Sequence, residues 1–258
     1  MITPGGKSRF FVHALSALAV LLVSACGFAN GDNSQPTVPA TDIAGPTRQA
    51  DDGAASTGRR VNIGVESAIV WGEGEYGVVL VHGAAYSAAS WERLGNAAAQ
   101  SGIVAIAVEN ATHDAAIAAV DYLKQELGAT ATALLGASAG GAAVLEVGAT
   151  NEDSVDQLIL LSATGTVENL GDFPKLFIAS EGEGIAEQVR RMAHLAPGNR
   201  NDAVILPGDA HAQAIFDTDQ GERLIMIIIE RLNQGRSANL QPPVVRATSP
   251  HRQKTRAH

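Results

Sequence analysis

One cysteine, Cys26, is all the thiol chemistry in 258 residues, so no disulfide can form within the chain. Positive charge is scarce as well. Eighteen Lys and Arg stand against 27 Asp and Glu, a net charge of −9. Phosphate contacts need clustered Lys and Arg, so this balance argues against a general nucleic-acid binder, and no nucleic-acid partner is expected. Aromatic residues make up only 4% of the chain, and the core has to come from the Ala, Val, Leu and Ile that dominate its 46% of hydrophobic residues. The longest apolar run, Phe10 to Val23, is too short for a comfortable membrane span. No internal repeat is found. Carboxylates are missing altogether from residue 236 onward, where Arg246, Arg252, Lys254 and Arg256 sit among Pro, Ser and Gln. This basic tail, 236–258, reads as disordered and solvated, with contact to an anionic surface as the alternative. The length suits one domain of ordinary size with flexible ends.

What is present at the N-terminus is ordered like a secretory signal. Lys7 and Arg9 precede the apolar run, and the small residues Ser24 and Ala25 lead into Cys26. Small residues before a cysteine resemble the bacterial lipobox, in which cleavage leaves that cysteine as a lipid-modified first residue. The resemblance implies a signal peptide over 1–25, lipidation of Cys26, and an extracytoplasmic protein anchored to a bacterial membrane, inner or outer being open. An ordinary signal peptide with an incidental cysteine is the alternative. Residues 26–60, rich in Gly, Asn, Ser, Pro, Thr and Ala without apolar periodicity, read as a flexible tether.

From residue 61 to 235 apolar runs alternate with helical spacing. Strands are predicted within 61–71 (one or two), 77–82, 103–108, 131–135, 155–161, 175–179 and 203–206. Helices are predicted over 89–100, 115–127, 140–147, 185–195 and 220–233. Apolar strands interleaved with helices imply an α/β fold, with a mainly parallel sheet flanked by helices on both faces.

The chemistry centres on Gly136-Ala137-Ser138-Ala139-Gly140, a G-x-S-x-G pattern between a predicted strand and a predicted helix. A serine there occupies a strained turn at a helix N-terminus, where the backbone dipole favours developing negative charge. The flanking glycines remove side chains that would strike the neighbouring strand and helix. Upstream, another strand ends in His82-Gly83-Ala84-Ala85, followed by Ser87, Ser90 and Trp91; far downstream, Gly208-Asp209-Ala210-His211 follows the last predicted strand.

These pieces, in this order, resemble the α/β-hydrolase family over residues 61 to 235. The resemblance implies Ser138 as nucleophile, His211 as base, and the N–H groups of Ala84 and Ala139 as oxyanion hole. It leaves His82 as a structural loop residue, because the family's base follows its serine. The acid is expected after the strand Pro174 to Ala179, where the chain reads Ser180-Glu181-Gly182-Glu183-Gly184. Family spacing favours Glu183, with Glu181 as the alternative, and Glu in place of the more usual Asp is a departure. Asp209 is too near His211 in sequence to be the expected partner, and His194 reads as a surface or packing residue.

The short stretch 162–173, where relatives often insert a lid, implies no cap domain and an open site. The expected activity is hydrolysis of carboxylic esters through an acyl-enzyme, on a small-molecule or lipid ester, without cofactor or metal. Thioesterase or lipase action is open within the class. An inactive, surface-anchored binding protein with the same fold is the alternative outside it.

Overall fold

The computed structural model describes residues 58–239. The signal and lipidation expectations, most of the tether, and the tail beyond 239 lie outside these residues. Eight strands are described: β1 (Arg59–Ile63), β2 (Glu66–Trp71), β3 (Tyr76–Val81), β4 (Val104–Val108), β5 (Ala131–Ala137), β6 (Gln157–Leu161), β7 (Lys175–Ser180) and β8 (Asn201–Leu206). They form one sheet in the order β1-β2-β4-β3-β5-β6-β7-β8. The pairs β1–β2 and β2–β4 are antiparallel, and the strands from β4 across to β8 are parallel.

The parallel strands β3 to β7 are buried at every position, including Val78-Val-Leu-Val81 and Leu158-Ile-Leu-Leu161. A strand covered on both faces has no polar side to alternate with, which is why the sequence reads as unbroken apolar runs. Two cores follow from two faces. One packs α2 (His113–Gln125), α3 (Ala139–Thr150) and α4 (Ala186–Leu195) through Ala116, Ala119, Val144, Val147, Val189 and Met192. The other packs α1 (Glu92–Gln100) and α5 (Gly221–Asn239) through Leu94, Ala98, Leu224, Ile228 and Leu232. No described helix is long and apolar enough to cross a membrane.

Several boundaries differ from expectation, for physical reasons. The residues read as one or two strands over 61–71 are two, β1 starting at Arg59 and turning at Gly64 (φ 65°) into β2. The edge strand β8 begins at Asn201, ahead of its apolar run, because Asn201 and Asp202 pair with Lys175 and Leu176 through backbone alone. Helix α5 continues past residue 233 to Asn239: Gly235 is buried beneath Tyr76 and Gln157, and Arg236 Nη1 donates to the carbonyl of Ser101 at 2.7 Å. The expected domain edges at 61 and 235 therefore lie inside the ordered elements.

Chain order places the site. From β3 the chain moves outward to β4, then returns to the other side of β3 as β5. Loops leaving β3 and β5 therefore diverge at their carboxyl ends and open a crevice, the usual ligand position in such sheets. At the opposite end of the sheet, Lys175 opens β7 with its side chain fully buried. Its Nζ donates to the carbonyls of Gly171 (2.6 Å), Phe173 (2.8 Å) and Pro197 (2.8 Å), tying two connecting loops together. Residues 162–174, joining β6 to β7, contain no helix or strand, so no cap is built there.

Candidate active site

Ser138 sits between the last residue of β5 and the first of α3 with φ 48° and ψ −116°, a backbone conformation that only local constraint holds. The constraint is steric. A Cβ on Gly140 would fall 2.4 Å from the carbonyl oxygen of Val81, and one on Gly136 would fall 2.5 Å from that of Gly140. Glycine at both positions lets helix, strand and turn close on one another. The Ser138 N–H donates to the Leu161 carbonyl at 2.9 Å, fixing the turn against β6. Ala139 opens α3, where first-turn N–H groups have no partner within the helix.

His211 follows β8 and meets the serine from the other side. Its Nε2 lies 2.8 Å from Ser138 Oγ, and its Nδ1 lies 2.6 Å from Glu183 Oε2. The three side chains form one continuous chain of hydrogen bonds. The carboxylate is buried, its side chain 3% exposed, while the imidazole is 52% exposed. A buried carboxylate behind a half-exposed imidazole suits a group that orients the ring rather than one that meets a ligand.

Glu183 is held by more than His211. Its Oε1 accepts from Ser162 Oγ (2.9 Å) and from the backbone N–H of Ser180 (2.5 Å). The latter belongs to a reciprocal cap on the short turn Glu181–Glu183, in which Ser180 Oγ accepts from the Glu183 N–H. Ser180 Oγ also donates to the Ala210 carbonyl at 2.6 Å, next to His211. The S-x-x-E spacing of Ser180 and Glu183 carries this cap in the sequence. Glu181 opens the same turn and is exposed.

Ser162 had no comparable signal. It lies just past β6, buried, and its hydroxyl donates to Glu183 while accepting from the N–H of Ala212 at 2.9 Å. One hydroxyl thus joins Glu183 to the backbone next to His211. Ser138, Ser162 and Ala212 are the non-glycine residues with positive φ among those described, at 48°, 49° and 54°. All three belong to this network.

The other candidates fall into place around it. His82 is buried, with Nδ1 2.8 Å from the Gly83 carbonyl and Nε2 3.0 Å from that of Glu109, as befits a loop-holding residue. Ala84 is exposed beyond it, in the loop from β3. His194 is exposed in the last turn of α4, where a basic group complements the helix dipole. Asp209 is exposed, and Asp156 is taken up by the Thr132 N–H at 2.8 Å, at the start of β6 and away from Ser138.

Comparison with known proteins agrees with this architecture. The family model described as the alpha/beta hydrolase family matches residues 78–248. No curated protein matches the sequence. Among solved structures, a monoacylglycerol lipase from Paleococcus ferrophilus is similar with a TM-score of 0.58 and 16% identity, covering 66% of this chain and 99% of its own. A hyperthermophilic esterase from Pyrobaculum calidifontis gives 0.57 and 19%, over 69% of this chain and 85% of its own. An esterase of the bacterial hormone-sensitive lipase family gives 0.60 and 15%, over 72% and 86%. At such identities these likenesses speak for the fold. With more than half its length matched by the family model, the chain belongs to the alpha/beta hydrolase family.

Proposed function

We propose that the protein is a serine hydrolase that cleaves carboxylic esters through an acyl-enzyme. The observation that carries this is the hydrogen-bonded chain from Ser138 Oγ through both nitrogens of His211 to Glu183. As Ser138 Oγ attacks the ester carbonyl, His211 Nε2 takes the hydroxyl proton, and the imidazolium so formed is stabilised by Glu183 through Nδ1–H. The oxyanion is bound by the N–H groups of Ala84 and Ala139. When the tetrahedral intermediate collapses, His211 protonates the departing alcohol, and water activated by the same nitrogen then releases the acid.

Esters are favoured as the substrate class because similar folds include a monoacylglycerol lipase and esterases. The half-exposed imidazole and the capless 162–174 connection favour small, polymeric or lipid-surface esters over substrates that must be enclosed. Lipidation of Cys26 and an extracytoplasmic, membrane-tethered location complete the reading. A mass spectrum of the mature N-terminus that lacks an acylated Cys26 would remove this last part alone.

The decisive experiment compares wild type with Ser138→Ala on p-nitrophenyl acetate and on a fluorophosphonate label. Ser138→Ala should fold normally, lose labelling, and lose ~10⁴-fold or more in kcat. Near-wild-type turnover by that variant would remove Ser138 from the mechanism. A wild type that neither turns over esters nor takes the label would leave a binding protein on this fold.

A further inference from the structure

The 3-10 turn Ala212–Asp217 that follows directly on His211 carries Gln213, a polar side chain that is only 2% exposed. Both ends of its amide are bonded, and both reach the loop after β3. Oε1 accepts from the Gly83 N–H at 3.0 Å, and Nε2 donates to Ser90 Oγ at 2.9 Å. Ser90 Oγ in turn donates to the Ser87 carbonyl at 2.7 Å. The Ser138–His211–Glu183 chain uses none of these bonds. A buried amide satisfied at both ends is a rigid strut, since swinging it away would leave several polar groups unpaired in the interior.

Gly83, the residue it grips, stands against the nucleophile. A Cβ there would lie 3.2 Å from Gln213 Oε1 and 3.3 Å from the Ser138 Cβ. The carbonyl of Gly83 is fixed too, accepting from Tyr86 N at 3.0 Å and lying 2.8 Å from His82 Nδ1. Glycine has the widest backbone freedom of any residue, so an unheld Gly83 would let the next peptide turn. Here the peptide before it is pinned by Gln213 and the peptide after it by the Tyr86 N–H, with His82 Nδ1 beside it. Because the peptide is planar and trans, the pinned Gly83 carbonyl also sets the direction of the Ala84 N–H.

We infer that Gln213 is a positioning residue for the oxyanion hole, holding the Ala84 N–H on the developing oxyanion through Gly83. This rests on the ester-hydrolase reading above. Because Gln213 sits in the turn that His211 opens, two residues on, the strut also fixes the distance between base and oxyanion donor. The group that moves the proton and the group that receives the charge are set by a single piece of backbone.

The experiment measures kcat, KM and inhibition by a trifluoromethyl ketone, whose adduct with Ser138 places an oxyanion in the hole. Gln213→Met keeps the length and removes both hydrogen bonds. It should lower kcat roughly 10- to 100-fold, with KM within about threefold and the ketone weakened by the same factor as kcat. A merely structural glutamine would lower the melting temperature and leave folded enzyme with wild-type kcat and ketone affinity; that result overturns the inference. Ser90→Ala guards against a Gln213→Met variant that fails to fold. Removing the half-buried Ser90 hydroxyl takes away one of Gln213's two bonds, so kcat and ketone affinity should fall together by roughly three- to tenfold. Unchanged values for folded Ser90→Ala would also overturn it. A wild type inert toward esters would overturn the hydrolase reading first, and the inference with it.

Discussion

Replacing Glu183 with Gln is the sharpest test of the proposed proton path, because the surroundings of the carboxylate dictate which way an amide must lie. Two oxygens face three donors: His211 Nδ1 at Oε2, and Ser162 Oγ and the Ser180 N–H at Oε1. An amide has one oxygen and one NH₂. The Ser180 N–H belongs to the backbone and can only donate, so the amide oxygen must stay on that side. The reverse orientation would set two donors face to face around a side chain that is 3% exposed. The NH₂ then faces His211 Nδ1, which can accept only if the ring proton has moved to Nε2. That proton points at Ser138 Oγ, and the base is blocked before the reaction begins. Such a forced tautomer costs on the order of 10³- to 10⁴-fold in kcat, roughly 4 to 5.5 kcal/mol of transition-state stabilisation. KM should stay within about threefold, since the carboxylate lies behind the imidazole. The assay is steady-state hydrolysis of p-nitrophenyl acetate, with melting curves to show that the variant folds. Glu181→Gln, changed at an exposed position in the same turn, should stay within about threefold of wild type. A Glu183→Gln enzyme retaining more than a tenth of wild-type kcat would refute the argument, and a crippled Glu181→Gln would move the acid two residues.

Two further outcomes follow from groups beside and below the site. Ser162→Gly removes the hydroxyl shared by Glu183 and Ala212 but suits a φ of 49°, so kcat should fall roughly tenfold or more while the melting temperature hardly moves; full activity would show that the hydroxyl is dispensable. Burial lowers the Lys175 ammonium from its ordinary 10.5 to about 8. Between those values the unfolded chain binds more protons than the native one, so this group's contribution to stability rises with pH across the window and is least favourable below pH 8. The melting temperature of wild type minus that of Lys175→Met should therefore grow from pH 8 to pH 10, and a flat difference would sink the assignment.

The sequence was most legible where burial is two-sided. The runs Val78 to Val81, Val104 to Val108 and Leu158 to Leu161 stand out because nothing polar can interrupt a strand covered on both faces. It was least legible where backbone pairing or a few specific contacts decide the boundary, as at Asn201 and Asp202 of β8 and the last turns of α5. Ser138, Glu183 and His211 could be picked out because each follows a strand in an order the family uses, and these three lie within hydrogen-bond reach. The groups that hold them in place gave no such signal. Ser162 acts on a residue 50 positions away, and Gln213 on one 130 positions away. A serine past a strand or a glutamine in a loop has neither period nor motif. Only the closed fold gives them partners.

The three strained residues set a limit on how this protein could be made hardier. Positive φ costs a side-chain-bearing residue on the order of 1 to 2 kcal/mol, and Ser138, Ser162 and Ala212 all bear it within one hydrogen-bonded cluster. Glycine at any of them relieves the conformation at once. Selection for heat resistance alone would therefore favour glycine at 212 and even at 138, and would not oppose it at 162. At 162 it would discard the hydroxyl that joins Glu183 to the backbone beside His211, and at 138 the proposed nucleophile itself. At 212 it would loosen the backbone between His211 and Gln213. On the proposed mechanism thermal robustness and turnover draw on the same few torsion angles, so a stabilising programme for this fold has to exclude these positions by design and work on the helices instead.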